Sequence, residues 1–393
     1  MKISERIYSV GVNDDDKTLF EGLWPLPFGV SYNSYLVVGE KVALVDTVEA
    51  GFEDEYLANI GEVLGDRAID YLIVNHMEPD HSSLVTYMQK AYPQMKIVAN
   101  PKTLPMLKGY HGVEPEQVHV VNEGDTLSLG DCTIRFHMIP MVHWPETMVT
   151  YLEEEATLFS GDAFGTFGAV EGDIVDKDDT FEQYRDEMMR YYSNIVGKYG
   201  GPVQTALKKL SGVRIDRICS THGPVWEKNI AEVVALYDKM SRYEVERGVC
   251  IVYGSMYGNT AAAADALAME LEALGIPYAV HDLAGNNDSS LGVSGALRDV
   301  FKYDTIVAGS PTYNGGIFPP VETFMKSLAA RTIKGRRFYA FGSYTWAAAS
   351  VRLLNKMAED MQFEVLGEGS PFPQAYSKDK CNMAEIAALL AAK

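Results

Sequence analysis

The polar segment Asn75-His76-Met77-Glu78-Pro79-Asp80-His81 directly follows the apolar run Tyr71-Leu72-Ile73-Val74. The apolar run is short and rich in β-branched and aromatic residues, which predicts a buried strand that ends at a sheet edge. His76, Glu78 and Asp80 alternate along the chain, so an extended loop would direct their side chains to one side. Clusters of His and carboxylates recur at metal sites, and four potential ligands in six residues favour such a site over a solvated polar turn.

Three further candidate ligands, His143, Asp162 and His222, stand directly after predicted strands and before loops marked by Gly or Pro. Strand ends are where loops carry functional side chains on a rigid scaffold. Each residue on its own is compatible with a structural histidine or a turn-forming aspartate. Their common position indicates that they join the ligands of residues 76–81 in one site.

Composition and charge limit the classes of function. Of the 393 residues, 47% are hydrophobic and 22% are charged, so we expect a globular protein of two domains. The net charge of −20 disfavours nucleic acid or an anionic membrane as a partner and favours a basic redox carrier or a small neutral substrate. We find neither a basic-then-apolar leader nor a long uncharged apolar span, so we expect a cytoplasmic protein without membrane insertion.

The cysteines are scattered and form no CxxC pair; they are Cys132, Cys219, Cys250 and Cys381. This spacing excludes a zinc ribbon and a rubredoxin-type iron module within the chain. In a cytoplasmic protein we expect no disulfides between them.

The pattern up to about residue 245 mixes short strands with isolated helices, which predicts a sandwich of two sheets covered by helices. Residues 35–38 and 42–46 predict a hairpin. Further strands are predicted at residues 71–74, 96–98, 126–129, 133–137, 147–152 and 157–160, and helices at residues 52–64, 84–91, 181 to about 198, and 225 to about 242. The polar segment 244–248 is the predicted linker, which places the domains at residues 1–247 and 248–393.

From residue 249 onward, strands and helices alternate regularly. The predicted pairs are 249–253 with 260–274, 279–283 with 289–301, 305–309 with 320–329, 337–342 with 347–361, and 363–366 with 383–392. Five such units in about 145 residues predict a doubly wound parallel sheet, in which ligands bind at the carboxyl ends of the strands.

Three loops fall at those strand ends, at residues 254–260, 310–316 and 342–346. In the first, hydroxyl groups and backbone N–H groups at a helix N-terminus form a phosphate cradle that needs no Lys or Arg. In the other two, N–H groups and flat aromatic rings suit a flavin, although the rings are also compatible with covering the sheet edge. The candidate contacts are Ser255, Met256, Tyr257, Gly258, Asn259, Thr260, Pro311, Thr312, Tyr313, Asn314, Gly315, Gly316, Ser343, Tyr344, Thr345 and Trp346.

The first of these loops resembles the flavodoxin loop (T/S)xTGNT, with Tyr257 in place of the middle Thr. That difference affects one hydroxyl contact and not the cradle. The chain lacks the acidic residue that follows a GxGxxG turn in nicotinamide sites. We therefore expect FMN as the ligand of the second domain.

The chain resembles the metallo-β-lactamase superfamily in the order of its candidate ligands, which are His76, Asp80, His81, His143, Asp162 and His222. Hydrolases of that superfamily carry the motif HxHxDH. Here Glu78 stands where they have the second His, and the resulting HxExDH is the motif of the flavodiiron proteins (A-type flavoproteins). The loops His143-Trp144-Pro145 and Gly161-Asp162-Ala163-Phe164-Gly165 are also similar to that family.

The resemblance implies an α/β protein in which a metallo-β-lactamase-like αββα sandwich precedes a flavodoxin-like doubly wound parallel sheet. It also implies two iron ions, one held by His76, Glu78 and His143, the other by Asp80, His81 and His222, with Asp162 bridging. Some relatives leave the equivalent of His81 unligated, so the role of His81 stays open. A carboxylate in place of an imidazole adds negative charge and hard oxygen donation, which stabilises ferric iron and suits redox chemistry.

The activity that the resemblance implies is reduction of dioxygen to water, or of nitric oxide to nitrous oxide, with electrons supplied through FMN. The electron donor would be a separate rubredoxin, a flavin reductase or a reduced deazaflavin coenzyme. In the family, a head-to-tail dimer sets the FMN of one chain beside the irons of the other, so we expect a homodimer or a dimer of dimers.

Two alternatives belong to other classes. One is a metallo-hydrolase fused to a flavodoxin electron-transfer module, against which Glu78 argues. The other is a non-enzymatic electron carrier whose first domain has lost its metal, against which the complete ligand set argues.

Overall fold

The computed structural model describes residues 1–285 and 291–392. The chain divides into two units, the first formed by Met1–Tyr192 with Tyr199–Asp238, the second by Ser193–Lys198 with the chain from Lys239 onward. The predicted linker at residues 244–248 is wrong in its second half. A strand begins at Glu246, because this residue already pairs with Tyr303 of a parallel neighbour. The domain limits at residues 1–247 and 248–393 stay a prediction.

The first unit is built from short strands and medium-length helices. Its strands are β1 (Ile7–Ser9), β2 (Val12–Asp14), β3 (Leu19–Phe20), β4 (Trp24–Pro25), β5 (Val30–Tyr32), β6 (Tyr35–Val38), β7 (Val42–Val45), β8 (Tyr71–Ile73), β9 (Lys96–Ala99), β10 (Val118–Val120), β11 (Thr126–Ser128), β12 (Thr133–Met138), β13 (Met148–Leu152), β14 (Thr157–Gly161) and β15 (Arg217–Ser220). Its α-helices are α1 (Glu53–Leu64), α2 (Pro79–Ser82), α3 (Val85–Ala91), α4 (Leu104–His111), α5 (Thr180–Tyr191), α6 (Gly200–Leu210) and α7 (Ile230–Ser241).

Two sheets of the first unit share one apolar core. Their strand orders are β1-β6-β7-β8-β9-β10 and β11-β12-β13-β14-β15. Side chains of both sheets meet in a single buried cluster, for example Ile73 and Val98 from the first sheet and Phe136 and Phe159 from the second. The predicted αββα sandwich is confirmed, and so is the hairpin of β6 and β7.

Because neighbouring strands of the first unit pair in parallel, the candidate ligands that follow them lie at the same edge of their sheet. Strands β7, β8 and β9 are parallel, and β8 ends three residues before His76. Strands β14 and β15 are also parallel, with Gly161 paired to Ser220. Asp162 and His222 therefore emerge side by side from the second sheet.

The extended loop predicted for residues 75–81 is wrong in its second half. Helix α2 begins at Pro79, directly after Glu78. Proline is favoured at the first position of a helix because its fixed φ suits the helix and its missing N–H has no partner there anyway. The turn directs Asp80 away from the side that His76 and Glu78 share.

Two predicted helices have different bounds. The helix expected over residues 181–198 ends at Tyr191, continues as a π-helical turn at Tyr192–Val196, and is followed by α6, which was not predicted. Glycines at positions 197, 200 and 201 lower helix propensity and obscure the pattern. The helix expected from residue 225 begins only at Ile230, because Val225 and Trp226 pair as isolated bridges with Val175 and Ile218.

The second unit alternates strands and helices. Its strands are β16 (Glu246–Tyr253), β17 (Tyr278–Asp282), β18 (Tyr303–Gly309), β19 (Thr312–Tyr313), β20 (Gly316–Ile317), β21 (Arg337–Tyr344), β22 (Glu364–Val365) and β23 (Ser370–Pro373). Its helices are α8 (Asn259–Ala273), α9 (Gly292–Lys302), α10 (Pro319–Ala330), α11 (Ser350–Asp360) and α12 (Met383–Ala391).

The main sheet of the second unit has the strand order β17-β16-β18-β21-β22, with β23 also paired to β21. All of these pairs are parallel. Strand order reverses beside β16, as in doubly wound sheets that bind ligands at this point. The predicted doubly wound sheet is therefore confirmed.

Two details of the second unit differ from prediction, and one prediction cannot be compared. The start predicted for the second helix, Ser289, lies outside the described residues. Helix α11 begins at Ser350 rather than at residue 347. Strands β19, β20 and β23 were not predicted, since runs of two to four residues carry no clear periodicity.

Within the described ranges, no helix has both the length and the apolar character needed to cross a membrane. The thiols of Cys132, Cys219, Cys250 and Cys381 are free and buried. Burial raises the pKa of Cys132 to about 11 and raises that of Cys250 well above its ordinary value.

Candidate metal centre and phosphate cradle

The seven candidate ligands of the first unit are all buried. They form two groups, and within each group the possible ligand atoms lie within 4.8 Å of one another. The groups are His76, Glu78, His143 and Asp162, and Asp80, His81 and His222. The structure thus brings all seven predicted residues together, in the same division that the resemblance implies.

The first group surrounds a common point. His143 Nε2 lies 3.0 Å from Glu78 Oε2 and 3.1 Å from Asp162 Oδ2. His76 Nε2 lies 3.4 Å from each of these two oxygens. Two imidazole nitrogens and two carboxylate oxygens are therefore close enough to bind a single transition-metal ion.

The second group shares Asp162 with the first. Asp80 Oδ2 lies 3.3 Å from His222 Nε2 and 3.4 Å from His81 Nε2. The second oxygen of Asp162, Oδ1, lies 2.8 Å from His81 Nε2 and 3.7 Å from His222 Nε2. Each oxygen of Asp162 faces one group, which is the arrangement of a carboxylate that bridges two metal ions.

Hydrogen bonds behind two imidazoles turn their Nε2 atoms toward the centre. His76 Nδ1 lies 2.8 Å from Glu146 Oε1, and His222 Nδ1 lies 2.7 Å from the carbonyl oxygen of Ser31. An imidazole that donates through Nδ1 keeps the Nε2 lone pair for a metal. Neither partner was predicted, because Ser31 contacts the ring of His222 through its backbone carbonyl and no motif marks Glu146.

Buried carboxylates accept the backbone N–H groups of the residues before and after His76. Asp46 Oδ1 accepts the N–H of Asn75 at 2.7 Å, and Glu146 Oε1 accepts the N–H of Met77 at 3.0 Å. Burial raises the pKa of Asp46 to about 6. These contacts hold the loop rigid at the point where it presents its first ligand.

Several buried atoms of the second group have no hydrogen-bond partner among the described residues. They are both carboxylate oxygens of Asp80, Nδ1 of His81 and Nε2 of His222. Leaving one such atom unpaired costs about 1–3 kcal/mol, so a cluster of them needs an explanation. A bound cation satisfies the carboxylate oxygens and the Nε2 atoms together, and the donor set of nitrogens and oxygens suits a first-row transition metal.

The carboxylates of the site shift the pKa values of its imidazoles. Burial alone would lower each pKa, but neighbouring carboxylates raise those of His76 and His143 to about 10 and that of His81 to about 9. Burial would also raise the pKa values of Glu78 and Asp162, yet the imidazoles lower both. Without metal, protonated imidazoles therefore balance the buried negative charge.

A polar opening of about 290 Å³ leads from solvent to Glu78 and Asp80, and Glu21 lies in its wall. Burial and then repulsion by Glu78 raise the pKa of Glu21 to about 7. On the interior side, the ring of Tyr191 lies 5.4 Å from that of His222, and its buried hydroxyl has no hydrogen-bond partner within the described residues. Glu21 and Tyr191 were not predicted, since neither belongs to a motif.

In the second unit, a cavity of about 110 Å³ lies among the predicted cofactor loops. The candidates that line it are Ser255, Met256, Tyr257, Asn259, Thr260, Pro311, Thr312, Ser343, Tyr344 and Thr345. The candidates outside its lining are Gly258, Tyr313, Asn314, Gly315, Gly316 and Trp346. Gln374 also lines it and was not predicted, because it follows the unpredicted strand β23.

The cavity is built at the N-terminus of α8, where Gly258 has a φ of +85° that disfavours a side chain. The Gly258 N–H donates to Ser255 Oγ at 3.1 Å, and the hydroxyls of Thr260 and Ser343 are 3.1 Å apart. The described lining contains no Lys or Arg. Hydroxyls and helix N–H groups are nevertheless enough to bind a phosphate, so the residues fit the phosphate of FMN.

Part of the second cofactor loop has a structural role. Strands β19 and β20 form a small hairpin with Asn314 and Gly315 at its turn, at φ values of +49° and +73°. Asn-Gly is the favoured pair for such two-residue turns. The hydroxyl of Thr312 accepts the N–H groups of Ala349 and Ser350 and so fixes the start of α11.

Both halves of the chain match known families. The profile of the ODP family beta-lactamase matches residues 30–223, and that of flavodoxin matches residues 251–386. The chain is 31% identical over 372 residues to the anaerobic nitric oxide reductase flavorubredoxin of Salmonella typhi, covering 92% of this chain and 76% of that protein. It is 30% identical over 370 residues to an uncharacterised protein of Methanocaldococcus jannaschii, covering 94% of this chain and 91% of that protein.

Two solved structures resemble the whole chain at 27% sequence identity. The rubredoxin oxygen:oxidoreductase of Desulfovibrio gigas has a TM-score of 0.92, covering 100% of this chain and 96% of that chain. The flavodiiron protein of Giardia intestinalis has a TM-score of 0.91, covering 99% of this chain and 96% of that chain. The order of the two domains is therefore the same over the full length.

Replacing Glu146 tests its positioning of His76. We expect Glu146→Ala to weaken metal binding about 10- to 100-fold, because His76 loses the acceptor that orients its ring. Glu146→Gln keeps an acceptor oxygen and should lose less. The measurement is the metal content after equilibrium dialysis against a competing chelator.

The matched control is Glu123→Ala, which removes a carboxylate 3.0 Å from His137 Nδ1, outside both ligand groups. It should leave the metal content unchanged. Equal metal affinity in Glu146→Ala and the unaltered protein would contradict the positioning role.

Metal binding at pH 7 should release protons. The pKa values of His76, His143 and His81 lie above 7 in the metal-free site, so these rings are protonated there. A ring must lose its proton to bind metal through Nε2. Affinity should therefore rise with pH from 6 to about 9. Titration calorimetry in buffers of different protonation enthalpy measures the release, and a proton count of zero at pH 7 would refute the expectation.

Proposed function

This chain belongs to the flavodiiron proteins, a family of oxidoreductases, and we propose that it reduces dioxygen to water or nitric oxide to nitrous oxide with electrons supplied through FMN. The observation that carries the proposal is the pair of ligand groups joined by Asp162, with the carboxylate of Glu78 in the first group. The names of the relatives point to both gases, one to nitric oxide and another to oxygen.

We assign two iron ions to the two groups. The first would be held by His76, Glu78 and His143, the second by Asp80, His81 and His222, with Asp162 between them. The Nε2 of His81 faces Asp162 Oδ1 at 2.8 Å and Asp80 Oδ2 at 3.4 Å, which supports its inclusion as a ligand. When bound, the two irons supply two electrons and open coordination positions for a diatomic gas.

Glu78 is the residue that separates this proposal from a metallo-hydrolase. A carboxylate donates hard oxygen and negative charge, which favours iron in its higher oxidation state over zinc. Together with Asp80 and Asp162 it gives the site three carboxylates beside four imidazoles. Zinc in place of iron in the purified protein would favour the hydrolase instead.

The second unit supplies the electrons in this proposal. The phosphate of FMN would bind at the N-terminus of α8, against the hydroxyls of Ser255, Thr260 and Ser343. The cavity of about 110 Å³ suits the phosphate and the ribityl chain, and the flavin ring would extend beyond it. Tyr257 and Trp346, each 88% exposed, offer flat surfaces for that ring.

The loop at residues 312–316 would contribute through its backbone. Tyr313, Asn314, Gly315 and Gly316 form the hairpin beside the cavity. We propose that its N–H groups bind the pyrimidine edge of the flavin. Gly258 belongs to the phosphate cradle because its N–H group donates to Ser255 Oγ and so orients that hydroxyl. The contacts would be completed by Met256, Asn259, Pro311, Thr312, Tyr344 and Thr345.

The electrons themselves would come from a separate donor. The net charge of −20 favours a donor with a basic contact surface or a small reduced cofactor. A rubredoxin, a flavin reductase and a reduced deazaflavin coenzyme all remain candidates.

We also propose a head-to-tail homodimer or a dimer of dimers in the cytoplasm. Leu19 and Leu23 are exposed, and they adjoin Phe20 and Gly22 in the wall of the polar opening to the metal centre. Tyr257 and Trp346 are exposed beside the phosphate cradle of the second unit. Exposed apolar side chains next to each cofactor site suit an interface in which the FMN of one copy approaches the irons of the other.

Charge placed in this surface should dissociate the dimer. We expect Leu23→Glu to sediment as a monomer and to lose most of its gas reduction, while its iron and FMN contents stay normal. Tyr110→Glu is the control, because Tyr110 is also exposed, on α4, and none of its chain neighbours lines the opening of the metal centre. Sedimentation velocity together with turnover measures both effects. If the wild-type protein is a monomer with full activity, the proposed homodimer is refuted.

The activity itself is tested by anaerobic reduction of the iron-loaded protein, followed by exposure to each gas and product analysis. We expect water or nitrous oxide, and His143→Asn should slow gas consumption at least about 100-fold because the first iron loses a ligand. The flavin spectrum of the variant should be unchanged.

The control variant for this experiment is His137→Asn, the same substitution at a histidine outside both ligand groups. It should consume gas at the wild-type rate. Full turnover by His143→Asn would refute the iron assignment, and a fully reduced protein that consumes neither gas would refute the proposed function.

A further inference from the structure

A second, apolar cavity lies in the first unit on the interior side of the ligand loops. Its volume is about 20 Å³, the space of one small molecule. It is lined by Ile139, Val142, Val149, Leu158, Ala163, Phe164, Val203, Ala206, Leu207, Leu210 and Tyr237. All of these side chains are buried except those of Ala206 and Leu207 on α6, which are partly exposed.

The cavity touches the backbone that carries two of the metal ligands. Val142 directly precedes His143, and Ala163 directly follows Asp162. The opposite side of the lining is the row Val203, Ala206, Leu207 and Leu210 of α6, at the three- and four-residue spacing of one helix face. The cavity therefore reaches from a partly exposed helix toward the metal centre.

The lining favours an apolar occupant over water. A buried water needs two to four polar partners, and empty cavities with apolar walls stay dry and bind small apolar molecules. The hydroxyl of Tyr237 is the one side-chain polar group in the described lining. It is buried and faces the backbone of Phe164 and Gly165, and a single hydroxyl is too little to hold a water molecule.

We infer that this cavity binds the diatomic gas before it reaches the metal centre, and that α6 forms the entrance for the gas. The inference rests on the proposed function and adds a route for its substrate. Dioxygen and nitric oxide are nearly apolar and enter hydrocarbon surroundings more readily than water does. A dry cavity beside His143 and Asp162 raises the local gas concentration without admitting solvent.

The polar opening to the metal centre, in contrast to the apolar cavity, is lined by charged side chains. Lys17, Glu21 and Glu49 line it together with Glu78 and Asp80. Charged walls suit water and protons, which the reduction of either gas consumes or releases. The molecule thus separates an apolar path for the gas from a polar path for protons and water.

Xenon tests the cavity directly, because xenon binds in dry apolar cavities of this kind. Crystals of the FMN- and iron-loaded protein, placed under xenon pressure, should show one xenon atom between Val142, Val203 and Leu210. No xenon density at this position would overturn the inference whatever the catalytic rates.

Filling the entrance tests the route. Ala206→Leu adds three carbon atoms at the partly exposed end of the cavity and keeps a strong helix former. We expect it to abolish xenon binding and to lower kcat/KM for the gas about fivefold to tenfold, with kcat at saturating gas unchanged, because only access is altered. Ala231→Leu on α7, an exposed alanine outside the lining, is the matched control and should change neither value.

Turnover with wild-type kcat/KM in Ala206→Leu would overturn the inference and leave the proposed function standing. Xenon bound in the cavity of a protein that consumes neither gas would instead overturn the proposed function, and the role of the cavity with it. If Ala206→Leu does not fold, Leu207→Ala provides a second variant. It widens the entrance and should raise kcat/KM or leave it at the wild-type value, and a decrease would count against the route.

Discussion

Everything at the metal centre depends on one buried carboxylate that two groups of imidazoles share. Asp162 directs one oxygen to His143 and the other to His81, at 3.1 and 2.8 Å. Burying three carboxylates and four imidazoles together is costly unless their charges compensate one another. The position of each of these side chains therefore limits the positions of the others. The parallel pairing of β14 and β15 fixes this point, because it sets Asp162 beside His222 at the end of the second sheet.

The strand ends that carry the ligands could be predicted from sequence, since short buried strands followed by His and carboxylate clusters leave a clear local pattern. The direction of the Asp80 side chain could not be predicted in this way. The prediction assumed an extended chain with alternating side chains, whereas a helix begins at Pro79. The partners behind the ligands were also missed. Glu146 is distant in sequence from His76, and Ser31 acts through a carbonyl oxygen that any residue would offer. Contacts of this kind depend on tertiary packing and leave no mark in a single sequence.

The second unit was the easier to predict, because strands buried on both faces read as continuous apolar runs that alternate with helices. The three loops predicted to bind a cofactor meet at a common cavity, yet only part of each loop lines it. The side chain of Thr312 is also used to begin α11, and Asn314 with Gly315 closes a hairpin. Two-residue strands are too short to show periodicity in the sequence. Only the structure therefore shows which loop residues have a structural role and which line the cavity.

The burial of the four thiols has a consequence for the chemistry that this family performs. Oxidants attack the thiolate rather than the thiol, and they must reach the sulfur. Burial keeps Cys132, Cys219, Cys250 and Cys381 out of reach, and at Cys132 and Cys250 it also raises the pKa. The described surface therefore offers no sulfenic acid precursor, and the protein should tolerate air without forming cross-linked aggregates.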